Sequence, residues 1–297
     1  MSPWTRGGWV NSQTFDHTSL IRFLEARFAT GRPDLVESNI TPWRRAVVGD
    51  LTGAFDFENP NTGRRPRLPD TGDFKPTNLE RQPDYVPVPP STQRLPRQER
   101  GVRPARALPY AIVADAETTD AGLSLTLRNP GAAATVLHVR TAPDTTPRSY
   151  TVGVGDELTE LLSDGGADYD VSVFGPNGFF RQFAGAAGAP RLGLTTRYGA
   201  SALSLAIRNL SPDRVRLQID DVYDGRRTVS LNAGDTHDAT ISLQRSRGWY
   251  GLTLTLDQPG LDDRGSRADL TWQIAGHVEN GADSISDPLM GGLLSHS

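Results

Sequence analysis

From about residue 110 onward, apolar and polar positions alternate. Leu123-Ser124-Leu125-Thr126-Leu127-Arg128-Asn129 is apolar at every second residue, as a half-buried strand requires. The same string returns 80 positions later as Leu203-Ser204-Leu205-Ala206-Ile207-Arg208-Asn209. Leu137 and Val139 match Leu217 and Ile219 at the same offset. Tyr169-Asp170-Val171-Ser172-Val173 then matches Tyr250-Gly251-Leu252-Thr253-Leu254, and Phe183-Ala184-Gly185 matches Ile274-Ala275-Gly276. The second copy carries an insertion from Asp257 to Asp269, rich in Gly, Asp and Arg. This is an internal duplication. Turn signals such as Asn129-Pro130-Gly131, Pro176-Asn177-Gly178 and Asp224-Gly225 separate the short strands. The pattern predicts two tandem antiparallel β-sandwiches of immunoglobulin-like shape.

The front of the chain has a different period. Leu20, Ile21, Phe23, Leu24 and Phe28 fall at helical spacing and predict one amphipathic helix from His17 to about Phe28. One helix with one apolar face cannot form a core by itself, so something must cover it. Trp4, Trp9 and Trp43 in the same piece again suggest a surface built to be covered. Residues 1–57 therefore read as the α/β end of a domain whose beginning is absent.

Between these regions the periodicity stops. Half of the 22 prolines lie between Pro60 and Pro109, and Pro87-Val88-Pro89-Pro90 has polyproline character. Ten Arg or Lys face five Asp or Glu from Asn59 to Arg106, so this linker is basic and the rest of the chain acidic. The readings stay open: a strap lying on an acidic domain, a run that is simply solvated, and an arm touching anionic lipid. The predicted organisation is a mainly β chain: a remnant at 1–57, a Pro-rich linker at 58–108, sandwich repeats at 109–189 and 190–284, and a flexible tail at 285–297.

Composition narrows the function classes. The net charge of -4 gives no reason to expect nucleic acid as a partner. There is no cysteine, hence no disulfide and no thiolate site. No run of about 18 apolar residues is present, and no apolar signal region opens the chain. If Met1 is the natural start, the product stays in the cytoplasm where it is made.

Asp16-His17 is the leading candidate for chemistry. Both residue types bind metals and line phosphoryl sites, and a helix N-terminus favours an anion. The alternative is structural: Asp16 or Thr18 caps the helix and His17 is a polar starting residue. His237 with Asp235 and Asp238, and Asp262-Asp263, are weaker cation candidates. His138 reads as facing solvent from a strand, His277 as a strand end, and His296 as part of the tail. Trp249-Tyr250 and Phe179-Phe180 read as core packing, with exposed anchors for lipid or sugar as the alternative; adjacent Phe179 and Phe180 must point to opposite faces of a strand, so one of them is a candidate for a surface or interdomain contact. No nucleophile elbow, phosphate loop or dinucleotide fingerprint is present.

Several longer strings carry a resemblance. Ser2-Pro3-Trp4-Thr5-Arg6-Gly7-Gly8-Trp9-Val10-Asn11-Ser12, Phe15-Asp16-His17-Thr18-Ser19 and Thr41-Pro42-Trp43-Arg44-Arg45 to Gly49-Asp50-Leu51-Thr52 resemble the last catalytic segment of one family. This is the bacterial phosphocholine-preferring phospholipase C family, related to acid phosphatases of the alkaline-phosphatase superfamily. Gly101 to Tyr110 resembles its connector. Phe174 to Arg181 and Gly248-Trp249-Tyr250 resemble its two C-terminal repeat domains. The resemblance implies hydrolysis of a phospholipid to diacylglycerol and a phosphorylated head group. It also implies a secreted or periplasmic location. The nucleophile and the main ligands of the divalent metal belong to the front of the catalytic domain, which this chain lacks. His17, with Asp16 beside it, is carried over as a phosphate or metal neighbour, and no cofactor is expected in this chain alone. The implied partners are a phospholipid surface or a phospholipase C catalytic domain. Alternatively, the chain is an interaction subunit completing a separately encoded catalytic half.

Overall fold

The computed structural model describes residues 2–63, 70, 89, 91–95, 99–163, 165–257 and 270–294. Helix α1 (Thr18–Phe28) follows an irregular leader, and α2 (Pro42–Val47) lies beyond a short 3-10 turn. Helix α2 has a capped start: the Thr41 hydroxyl accepts the Arg44 amide at 3.3 Å and Pro42 occupies the first turn.

Strand β1 (Pro104–Ala105) leads into the first repeat, which contains β2 (Val113–Thr119), β3 (Gly122–Arg128), β4 (Thr135–Thr141), β5 (Asp144–Val152), β6 (Glu157–Leu161), β7 (Tyr169–Phe174) and β8 (Phe180–Gly185). The second repeat supplies β9 (Leu192–Tyr198), β10 (Ala202–Asn209), β11 (Val215–Asp221), β12 (Gly225–Leu231), β13 (Thr236–Ser242), β14 (Trp249–Leu256) and β15 (Leu270–His277). Strand β16 (Ser284–Ile285) returns to pair antiparallel with β1.

Among the described residues, the seven strands of each repeat divide into three and four, and the fold is a mainly β sandwich. Sequence periodicity does not reveal that the repeats are joined edge to edge. One sheet runs β13-β10-β9-β2-β3-β6 and the other β12-β11-β14-β15-β8-β7-β4-β5. Both orders read the same from either end once each strand of the first repeat is exchanged for its counterpart. A pseudo-twofold axis therefore passes between β2 and β9 and between β8 and β15.

One continuous core fills the space between the sheets. Leu123, Leu125 and Leu127 of β3 and Leu203, Leu205 and Ile207 of β10 all point into it and are buried. Each contributes about 1.5–3 kcal/mol relative to exposure. A slip of one residue would turn a whole triplet into water, so the alternation fixes the register. The asparagine closing each string is also buried. Asn129 Nδ2 donates to the Ala133 carbonyl at 2.8 Å, and Asn209 Nδ2 donates to the Asp213 carbonyl at 2.8 Å. Their side chains stand in for backbone in the turns that follow.

The front piece attaches to this sandwich. Val10 forms a parallel bridge with Ala105, and Trp43 Nε1 donates to Thr151 Oγ1 at 2.9 Å. Arg106 ties the linker end to both neighbours, donating to the Gly53 carbonyl at 2.7 Å and to Asp283 at 2.9 Å.

Candidate functional site

Asp16 and His17 stand where the leader enters α1. The Asp16 Oδ1 atom accepts the Thr18 amide at 2.7 Å and the Thr18 hydroxyl at 2.6 Å. Its Oδ2 atom accepts from Arg44 at 3.1 Å, which ties α1 to α2. The Asp16 amide donates to Ser19 Oγ at 3.1 Å, completing a local turn. The Thr18 hydroxyl, then the Thr18 amide and Arg44, hold the Asp16 carboxyl below its ordinary value against the cost of burial. Asp16 is thus a carboxylate at neutral pH, fixing the helix entrance rather than standing ready to donate a proton. His17 is exposed beside it and is itself the residue before the first helical turn.

The divalent metal that the resemblance implies does not fit these residues alone. The Asp16 oxygens are already engaged by three donors, one of them cationic. Among the described residues no group of three His, Asp or Glu is arranged to hold a metal ion.

The other candidates are placed apart from this pair. His138 lies on the solvent face of β4, with Nδ1 3.1 Å from Ser149 Oγ. Asp235 accepts the Asn232 amide at 2.9 Å and closes a turn near His237. Asp262, Asp263 and His296 fall outside the described residues, as do Arg64, Arg65, Arg67, Lys75, Arg81 and Arg97 of the basic linker. Phe179 and Tyr250 are buried. Trp249 packs against the His277 ring and donates from Nε1 to the Ile285 carbonyl at 2.9 Å. Phe180 pairs on the opposite face with Phe174, with ring centroids 5.3 Å apart.

Sequence reasoning missed the environment of His277. Its side chain is 5% exposed, and each ring nitrogen faces an acceptor. Nδ1 lies 3.0 Å from Glu279 Oε1 and Nε2 lies 3.1 Å from the Arg247 carbonyl. No local motif marks these residues, because Arg247 and His277 meet only through the pairing of β14 with β15. A cleft of about 620 Å³ at the opposite end of β2 and β8 is lined by Asp120, Tyr169, Arg191 and Arg214. Arg191 pairs with Asp120 there.

The most telling surface is α1. Its buried residues are the polar Thr18 and Ser19, while Leu20, Leu24 and Phe28 are 61%, 50% and 58% exposed. Phe23 stacks on Phe55 with centroids 5.0 Å apart, and the exposed Phe28 ring has only the neighbouring Arg27 guanidinium over it among the described ring contacts, at 5.2 Å. Among the described residues, ten of the seventeen exposed large apolar side chains lie between Trp4 and Phe57. No helix of the described residues is long and apolar enough to cross a membrane.

Comparison with known proteins finds matches in both the front piece and the first repeat. The family model described as "Bacterial phospholipase C, C-terminal domain" matches residues 104–186, and the Phosphoesterase family matches residues 1–30. A non-hemolytic phospholipase C of Burkholderia pseudomallei is 40% identical over 98% of this chain and 42% of its own length. A non-hemolytic phospholipase C of Pseudomonas aeruginosa is 40% identical over 98% of the chain and 43% of its own length. A hemolytic phospholipase C of the same organism is 36% identical over 98% of the chain and 44% of its own length. The chain thus spans less than half the length of the curated relatives it matches. It belongs to the bacterial phospholipase C family, and its first β repeat carries that family's C-terminal domain.

Proposed function

We propose that this chain is the C-terminal portion of a phospholipase C that hydrolyses phosphatidylcholine-type lipids to diacylglycerol and a phosphorylated head group. Residues 1–57 complete a phosphoesterase domain, and the double sandwich supports them. The observation that carries this reading is α1, which buries Thr18 and Ser19 and presents Leu20, Leu24 and Phe28 outward. The occupant of that face is the phosphoesterase portion. The relatives hold more than half of their length outside the region matched here, and residues 1–30 match the phosphoesterase family.

Phosphodiester hydrolysis needs a nucleophile and charge stabilisation in one place. On this reading the chain alone turns over no substrate. Asp16 holds the helix entrance, and exposed His17 approaches the phosphate in the completed site. A secreted or periplasmic location belongs to the same reading. A subunit that completes a separately encoded catalytic half would use the same face, and mixing separate halves tests it directly.

The test is phosphatidylcholine hydrolysis by this chain alone and mixed with a separately expressed catalytic front half of a related enzyme. Activity only in the mixture, abolished by Leu24→Lys, supports the proposal. Activity of the chain alone sinks it. Retention on phosphatidylcholine or anionic vesicles would add direct lipid contact, and no retention would remove that part.

A further inference from the structure

The leader that delivers Asp16 and His17 is gripped at every second residue, first by the linker end and then by the sandwich. The Val10 amide donates to the Pro104 carbonyl at 2.9 Å, and the Arg106 amide donates to the Val10 carbonyl at 2.8 Å. Ser12 Oγ lies 3.2 Å from Asn177 Oδ1, and the Thr14 amide donates to the Tyr110 hydroxyl at 3.1 Å. Asp16 follows two residues later.

The middle grip is built from both repeats. Asn177 sits in the β7–β8 turn of the first repeat with φ of 53°. That left-handed conformation suits asparagine among residues with side chains. Its amide is oriented from behind: Nδ2 donates to Glu279 Oε1 at 2.7 Å. Glu279, just past β15 of the second repeat, is fixed in turn by His277 at 3.0 Å. The Asn177 carbonyl oxygen is therefore aimed at Ser12 by a carboxylate that tolerates only the donor end of the amide. A solvent-exposed tether would need none of this.

We propose that Asn177, oriented by Glu279 and His277, is a positioning residue for the Asp16-His17 pair in phosphodiester hydrolysis. This rests on the phospholipase reading above. The sandwich then sets where the candidate pair stands, and a misplacement of about 1 Å at a reacting group costs about a hundredfold in rate.

The test uses Asn177→Gly, which keeps the left-handed backbone accessible while removing the amide, and Ser12→Ala, which removes the other partner. Amide hydrogen exchange of the whole chain reads the grip. Each variant is expected to speed exchange across residues 12–18 by about tenfold, with the double variant adding little because both remove one shared contact. The thermal midpoint of the sandwich should not move. In the mixture with a catalytic front half, Asn177→Gly is expected to lower kcat by about tenfold with KM unchanged. Unaltered exchange in both variants overturns the proposal, as does unaltered kcat once exchange has risen. Absence of hydrolysis in the wild-type mixture overturns the phospholipase reading instead. The exchange experiment then decides alone whether Asn177 holds the segment.

Discussion

Arg181 and Trp272 occupy equivalent positions of the two repeats, and each donates a hydrogen bond across the pseudo-twofold axis to the other repeat's equivalent tyrosine. Arg181 Nη2 donates to the Tyr250 hydroxyl at 2.9 Å, and Trp272 Nε1 donates to the Tyr169 hydroxyl at 3.2 Å. The ladders prove the equivalence: Tyr169 pairs with Gly185 and Tyr250 with Gly276, and each donor lies four residues before its glycine. The duplication has kept the geometry of the seam while replacing one neutral donor or cation by the other. The cation is well supplied. Nη1 donates to the Phe180 and Ala275 carbonyls at 2.8 and 2.9 Å, Nη2 also donates to Tyr198, and the Phe179 ring lies 4.2 Å away.

The two tyrosines should therefore differ in their contribution. Tyr250→Phe removes an acceptor from a fully buried guanidinium and is expected to cost about 2–3 kcal/mol. Tyr169→Phe removes a neutral bond and is expected to cost about 1 kcal/mol. Urea unfolding of the two variants gives the comparison, and equal losses would mean that the buried charge is not what the seam stabilises.

Gly185 has no room for a side chain. A Cβ there would lie 2.5 Å from the Tyr169 hydroxyl and 2.6 Å from the ring carbon bearing it. Gly185→Ala is expected to destabilise the sandwich by about 1–3 kcal/mol through overpacking at the seam. A thermal midpoint equal to wild type would show that the ring moves aside without cost.

The front piece should have its own acid sensitivity. Glu25 is held below its ordinary value chiefly by its hydrogen bond to Arg45, helped by the Glu37 amide, against the cost of burial. Its contacts to Arg45 are 2.8 and 3.0 Å. A carboxyl with a depressed folded pKa stabilises above its unfolded value and loses that stabilisation as pH falls through the folded one. The attachment of α1 to α2 is thus expected to weaken below about pH 4.5. Glu25→Gln should weaken it already at neutral pH and flatten that part of the pH dependence. Carboxyl NMR titration with exchange at α1 amides measures both, and a Glu25 midpoint at or above the ordinary value would contradict the assignment.

Leu123 to Asn129 and its copy at Leu203 to Asn209 made the sandwich legible, because strand alternation and turn residues act over a few neighbours. The helix over Thr18–Phe28 was legible for the same reason. Three features were not. The fusion of both repeats through β2–β9 and β8–β15 depends on edges that carry no periodic signature. The seam depends on Arg181, a charged side chain whose residue type gives no sign of burial and which is buried where acceptors from both repeats converge on it. The grip of Asn177 on Ser12 joins residues 165 positions apart. By itself the sequence determined the elements, their duplication and the apolar stripe on α1, since these follow from short-range spacing. Only the tertiary structure decided which polar groups meet. Hydrogen-bond partners are fixed by where the chain returns in space, and burial makes their pairing obligatory.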